Sequence, residues 1–487
     1  MRRGFSGLLL AAMVVMGCPS SDEGGGGGPG GENPDDFYKG GSRLKAQVTT
    51  TAEGVRWPSE GFQWFDRTLN QVCLWEETGA DGALSCVPRD MDSVPSGDGG
   101  YYFDANCTEG LLSRTMPLPS GPRFARKQGA CGVLPRFYSV GELVPNTTAY
   151  VKDGTSCLSM PVSSFYKLYR VGAEVTAGTF ARGTRRIRAS DARISLQFIE
   201  GEDGSMQFAY LRDTVRDTTC SARWAGDGKS RCLPLGANTA QGQLPFTAAN
   251  ATCTETAFAS TCLKAPRFAV TYSQGACGPG AQVHEVGEQV SQPYTSAGSG
   301  VCEPLTVAPV ETFYFRAGAE IPAANFVEVK EVDIKSHGRL KVRGVALGDS
   351  VRVPLVLHDT TLNTDCDFQE DMSGKLRCFP STSLVTHEDL FADSACTSRL
   401  ALDDNPTCAA TPAPRYVLQS TFTAEGPPRY RAYNAGTKHD GPIFKRPLVG
   451  GTPAACQAAQ RIPGVTYYQR GTEIAATSLV EGTAVKD

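Results

Sequence analysis

Histidine is scarce in this chain: five in 487 residues, at His284, His337, His358, His387 and His439, and no position of the internal repeats holds one twice. That removes the side chain used most often as a general base and as a metal ligand. An excess of one charge is lacking too. Lys plus Arg number 47 against 51 for Asp plus Glu, with no long run of either sign, so neither a nucleic-acid footprint nor a polybasic membrane patch is expected. No Gly-x-Ser-x-Gly elbow and no Asp-x-Asp-x-Asp-Gly loop occurs. The Gly228-Lys229-Ser230 run carries Arg223 where a phosphate-binding loop needs its first glycine, and His284-Glu285 and His387-Glu388 lack the second histidine of a zinc-protease helix. The sequence therefore offers no catalytic set, no metal site and no cofactor site, and the expectation is a protein that is not an enzyme.

What is abundant is turn chemistry. With 53 Gly, 31 Pro, 40% hydrophobic residues and no helical period, an all-β fold is expected. Seventeen cysteines spread along the chain, without Cys-x-x-Cys pairs, point to an oxidising compartment. Arg2 and Arg3 precede an apolar run from Leu8 to Met16 that is too short to span a bilayer but suits a signal peptide, 1–17. It ends Val15-Met16-Gly17-Cys18, which resembles the lipobox of bacterial lipoproteins and implies lipidation of Cys18, with the membrane as a partner through that lipid. Residues 18–41 are polar and include five consecutive glycines, Gly24 to Gly28. They are expected to form a flexible tether with an end-to-end distance of roughly 25 Å.

Beyond the tether the chain repeats itself. Asp81-Gly82 to Cys86-Val87-Pro88 recurs as Asp227-Gly228 to Cys232-Leu233-Pro234 and as Ser373-Gly374 to Cys378-Phe379-Pro380. Each is a hairpin signal. Partner cysteines lie upstream at Cys73, Cys220 and Cys366, 147 and 146 residues apart, and each follows an aspartate by seven positions, at Asp66, Asp213 and Asp359. Each module opens on an aliphatic residue between bases: Arg43-Leu44-Lys45, Arg186-Ile187-Arg188 and Arg339-Leu340-Lys341. Each closes on Gly-x-Glu after an aromatic segment, at Gly172, Gly318 and Gly471. Modules of 42–182, 183–336 and 337–487 follow. Two four-stranded blades per module predict a six-bladed β-propeller, with three tandem β-sandwich-like domains as the alternative.

Comparison of the modules sorts the cysteines. Cys73–Cys86, Cys220–Cys232 and Cys366–Cys378 flank the hairpins. Cys107–Cys157, Cys253–Cys302 and Cys396–Cys456 recur in every copy, and Cys262–Cys277 occurs in the second alone, leaving Cys131 and Cys408; pairing in sequence order is the rival scheme. The three aspartates, each with a threonine within two residues, read as turn caps rather than a calcium site. Trp64 shares a position with two leucines and Trp75 with Phe368, which assigns both to the core rather than to a sugar platform.

The repeats Gly-x-Arg-Leu-Lys, Asp-Thr-(x)-Cys and Asp-Gly-x-x-Arg-Cys-Leu-Pro resemble those of a family of uncharacterised myxobacterial-type surface lipoproteins, over nearly the whole mature chain. The resemblance implies an extracytoplasmic, lipid-anchored protein and carries over no activity. The expected function is a non-catalytic cell-surface binding or structural protein in the bacterial cell envelope, at the outer membrane or cell surface, with an unknown protein or glycan ligand. The alternative is an extracytoplasmic hydrolase or carbohydrate-processing enzyme whose site is assembled from several modules.

Overall fold

In the computed structural model the described residues are 37–58, 63–79, 81–95, 99–114, 123–128, 133–145, 148–163, 166–190, 193–235, 239–243, 247–261, 266–272, 280–296, 301–305, 312–348, 351–381, 384–403, 414–421, 427–449, 452–462 and 464–487. Cys18, Cys131, Cys262, Cys277 and Cys408 lie outside them, so the lipidation of Cys18 and the Cys262–Cys277 pair concern residues not described. The fold is all-β, with no α-helix among the described residues. One-turn 3-10 segments, Ala177–Thr179, Ala323–Asn325 and Ala476–Ser478, mark the ends of the three modules.

The largest sheet has 17 strands and serves as a hub. The second module contributes an antiparallel meander of Ala181–Ser190, Ile194–Gly201, Met206–Asp213, Thr218–Trp224 and Ser230–Pro234. The third repeats it with Val329–His337, Leu340–Leu347, Val351–Asp359, Thr364–Glu370 and Leu376–Pro380. In the first module Leu44–Thr50, Trp64–Asp66, Gln71–Glu77 and Leu84–Pro88 take the last four places, and the C-terminal strand Glu481–Lys486 supplies the first by pairing with Leu44–Thr50. The meanders also join each other. Arg182 faces Ser85, Arg231 bridges Glu328, and Arg377 faces Glu481, at equivalent positions. Followed strand by strand, the pairings return to their starting point.

A closed circuit explains why the core is shared. Leu44, Val48 and Trp64 from the first module, Ile194, Leu196 and Phe198 from the second, and Val345, Leu347 and Val353 from the third are all buried in one cluster. Alternation along each strand puts these residues on one face.

The six-bladed propeller is not formed. Its blades would be separate sheets packed around a channel, whereas here the last hub strand of each module hydrogen-bonds to the first strand of the next. The expected module boundaries at 182/183 and 336/337 fall inside the strands Ala181–Ser190 and Val329–His337, because those strands stitch one meander to the next. Two further corrections follow. Residues 37–41 belong to the fold rather than the tether: Phe37 and Tyr38 are buried, Phe37 packs 5.4 Å from the Phe208 ring, and Tyr38 pairs with Gln207. In the second module the opening triplet is Arg193-Ile194-Ser195, not Arg186-Ile187-Arg188, since Ile194 pairs with Asp213 as Leu44 pairs with Asp66 and Leu340 with Asp359.

Between its hub strands and its 3-10 turn, each module carries a five-stranded barrel or its opened form. In the second it is closed, from Thr239–Gln243, Ala257–Thr261, Thr312–Ile321, Gln282–Val290 and Phe268–Tyr272. The third closes through its Leu384–Phe391 and Arg399–Asp403 strands. In the first the same strand order leaves a gap, spanned by the Arg114–Asp92 ion pair at 2.5 Å. Each barrel is seated on the hub by the residue after the second hairpin cysteine. Val87 meets Phe124 and Phe137, Leu233 meets Phe268 and Val283, and Phe379 meets Ala432, with Phe180, Phe326 and Leu479 of the 3-10 turns completing the three joints.

The circuit makes a specific demand on the C-terminus. Removal of residues 476–487 strips the first meander of a strand and exposes the apolar edge of Leu44–Thr50. The expected outcome, by differential scanning calorimetry and light scattering, is loss of the cooperative transition and aggregation. A soluble product with an unchanged melt would contradict ring closure.

Candidate functional site: a variable cleft on a repeated frame

Three buried ion pairs fix the hub. Asp66, Asp213 and Asp359 have no more than 1% of their surface exposed, and each is held at 2.7 Å by an arginine, Arg43, Arg193 or Arg339. Each carboxylate also accepts two backbone N–H groups of its own turn, from Thr68 and Leu69, Val215 and Arg216, or Thr361 and Leu362. Each guanidinium donates onward to a carbonyl of the following 3-10 turn: Thr179, Asn325 or Ser478. The aspartates are thus turn caps that also lock the joint on which the barrel sits. A second link runs between modules. The Asp203 carboxylate accepts the Arg43 and Leu44 N–H groups at 3.0 and 2.6 Å, and Glu53 accepts that of Arg339 at 2.9 Å.

The barrels carry a second repeated device. Asp104 accepts N–H bonds from Asn106, Thr108 and Glu109 and the Thr108 hydroxyl; Asn250 and Asp393 hold the same turn in the other modules. At the apex Cys107, Cys253 and Cys396 each take φ of 53°, a left-handed conformation that a non-glycine residue adopts only when its surroundings enforce it. The cap bonds hold that turn, and a disulfide ties its apex to Cys157, Cys302 or Cys456. The hairpin disulfides Cys73–Cys86, Cys220–Cys232 and Cys366–Cys378 are buried in the hub. Behind the turn two long barrel strands cross so closely that a Cβ on Gly318 would stand 2.8 Å from the Glu285 carbonyl oxygen, and one on Gly471 2.7 Å from that of Asn434. The recurrent glycine that closes each module is therefore a crossing point.

This frame borders a cleft whose lining differs between copies. In the first barrel it encloses about 390 Å³ between Phe103, Glu109, Lys127, Tyr138, Arg170 and Val171. Arg170 lies 3.8 Å over the Phe103 ring and pairs with Glu109 at 3.0 Å. Among the described residues, neither the Lys127 ammonium nor the Tyr138 hydroxyl has a hydrogen-bond or ion-pair partner. In the second barrel the Arg316–Glu255 pair persists, but Ala249 replaces Phe103, Thr271 replaces Lys127 and His284 replaces Tyr138. In the third, Arg470 stands in place of Val171, 4.3 Å over the Tyr433 ring and bonded to Gln419 at 2.6 Å, and so fills the space. A second cleft of about 370 Å³ lies at the third hub joint, lined by Arg377 and Asp371, which form an ion pair, together with Phe379 and Tyr430. Its arginine repeats the structural role of Arg231, which binds Asp227 and the Phe326 carbonyl.

A family model matches residues 36–312 and 313–441. The chain belongs to DUF7481, a family of unknown function. No curated protein and no solved structure matches it. In this DUF7481 chain Trp64 is buried and donates its indole N–H to Gln207 at 2.6 Å, Trp75 packs against the hub core, and Trp224 stands exposed at a hairpin tip. No group of three or more metal-ligating side chains is drawn together among the described residues. Sequence reasoning missed the cleft and the turn that frames it; the Asp/Asn-x-x-Cys-Thr pattern at 104, 250 and 393 is the signal that marks it.

The shifted carboxylates serve the frame. Hydrogen bonds from its turn, foremost the Glu109 N–H, hold Asp104 below the ordinary carboxylate range, and the Ser398 N–H does the same for Asp393. Burial works to raise Asp203, but the Leu44, Ser205 and Arg43 donors outweigh it and the net shift is downward. Burial raises Glu76, against the opposing pull of Arg126 across the first hub joint. Two outcomes are expected. Asp213→Ala leaves Arg193 without its carboxylate partner and the turn uncapped, costing about 3 kcal/mol or more in denaturant melts; an effect under about 0.5 kcal/mol would contradict the clamp. Because the Asp203 pKa is depressed by folding, the stability it contributes is present above about pH 4 and lost as pH falls through its folded value. Asp203→Asn should flatten the acid limb of the Tm–pH curve, and an unchanged limb would reject the assignment.

Proposed function

We propose that the protein is a non-catalytic surface lipoprotein of the myxobacterial type, anchored through lipid on Cys18, that presents its barrels as binding modules away from the membrane. The observation that carries this reading is the contrast within the repeats. Hub, clamps, disulfides and crossing glycines hold constant across three copies, while the cleft lining differs between them, foremost at Phe103, Lys127 and Val171, the pattern of a scaffold whose variable surface does the recognition. The carboxyl groups with lowered pKa favour it as well. Asp104, Asp203 and Asp393 are carboxylates fixed as hydrogen-bond acceptors in turns, whereas a general acid at neutral pH needs a pKa raised; Glu76, which burial does raise, is bound to Arg126 at the first hub joint and does not line the cleft.

Disulfides in every module suit an oxidising, extracytoplasmic setting, and the polar glycine-rich segment after Cys18 suits a tether. One acyl chain holds a protein marginally and several hold it firmly, at about 0.8 kcal/mol per buried methylene. Cys18→Ser is therefore expected to move the protein from the detergent-extracted membrane fraction to the soluble fraction, or to leave an unprocessed precursor. Persistent membrane fractionation of the variant would overturn the anchor.

A further inference from the structure

We propose that the cleft of the first barrel binds a carboxylated sugar unit, a uronic acid or its short oligomer, an inference that rests on the reading of the protein as a non-catalytic surface binder. The volume, about 390 Å³, lies at the lower end of small-ligand sites and suits one or two sugar rings rather than a protein segment. Phe103, a large apolar side chain, keeps 37% of its surface exposed even with the Arg170 guanidinium stacked 3.8 Å over its ring. The rest of that aromatic surface borders the cleft, and a π-face attracts the weakly positive C–H groups of a pyranose.

The polar groups narrow the class. Arg170 pairs with Glu109 at 3.0 Å and with the exposed Glu142 at 3.8 Å, which leaves Lys127 as the one cleft cation without a partner among the described residues. An ammonium without an ion-pair partner among the described residues matches a monoanionic carboxylate. A phosphate, carrying up to two charges, calls for a cluster of cations, whereas the cleft offers Lys127 and an Arg170 already paired with Glu109. Tyr138 supplies a hydroxyl able to donate and accept, and the Glu109 oxygen not engaged by Arg170 is an acceptor for a sugar hydroxyl.

The other two barrels serve as internal controls. Where Phe103 and Lys127 stand, the second has Ala249 and Thr271 on the same turn and strand frame, and the third is filled by Arg470. Phe103→Ala and Lys127→Thr therefore install residues already carried by this frame, and both variants are expected to fold with native disulfides.

The test uses the full chain, extracted in detergent, with digalacturonate as probe and its neutral counterpart, galactobiose, as control, followed by saturation-transfer NMR and titration. Digalacturonate is expected to bind, to weaken as salt is raised, and to lose at least tenfold in affinity in each of Phe103→Ala and Lys127→Thr, while Thr271→Ala in the second barrel has no effect. Absence of saturation transfer to digalacturonate, equal binding of galactobiose, or unchanged affinity in both variants would overturn the site. Such a result would leave the surface-binder reading standing. Conversely, conversion of the probe to new species during the titration would overturn the non-catalytic reading while leaving the site in place.

Discussion

Each of the three aspartates at the end of the third strand of its meander is sealed from water, and each is compensated by one arginine and two turn amides. An unpaired carboxylate at such a place would cost several kcal/mol, so the arginine must be present and in register before the turn is stable. That arginine reaches past the aspartate to the 3-10 turn that ends its own module, as Arg43 reaches Thr179. The same contact therefore fixes the hairpin, the joint to the next meander and the seat of the barrel. Where the arginine is, the barrel must be.

Rigidity is distributed accordingly. The hub's main core draws on all three modules, a second cluster joins Val55 of the first to Leu340, Leu357 and Cys366 of the third, and three disulfides are buried in the hub, so the loss of one meander deprives the other two of apolar partners. The barrels have separate small cores, joined to the hub through Val87, Leu233 or Phe379. A change in a cleft, such as Val171 against Arg470, stays within its barrel because the crossing glycines and the disulfide-bonded turn hold the backbone whatever side chain is mounted there. Sequence variation can then alter the cleft lining without disturbing the fold.

Much of this architecture is legible in the amino-acid sequence. The period of about 147 residues, the hairpin cysteine pairs and the core placement of Trp64 follow from turn chemistry and alternation, which are local. Ring closure is carried by backbone hydrogen bonds between segments more than 400 residues apart, such as those of Leu44–Thr50 and Glu481–Lys486, and backbone pairing leaves little mark on side-chain identity. The second module's opening triplet misleads because Arg186-Ile187-Arg188 imitates it one strand early; the spacing to the aspartate, 20 residues from Arg193 as from Arg339, separates the two. Phe37 and Tyr38 are concealed by their neighbours, since a glycine-rich segment reads as tether up to its last apolar residue. The clefts need a residue-by-residue match through β-bulges, which only the register provides.

The central claim is that three modules form one cooperative hub closed by the C-terminal strand. Native-state hydrogen exchange followed through denaturant tests it most directly, because it reads the opening energy of each strand separately. The account predicts that amides of Val48–Thr50, of Leu196–Phe198 and of Val345–Leu347 merge onto a single unfolding isotherm at the global free energy. Three isotherms of different energy, one for each module, would contradict it.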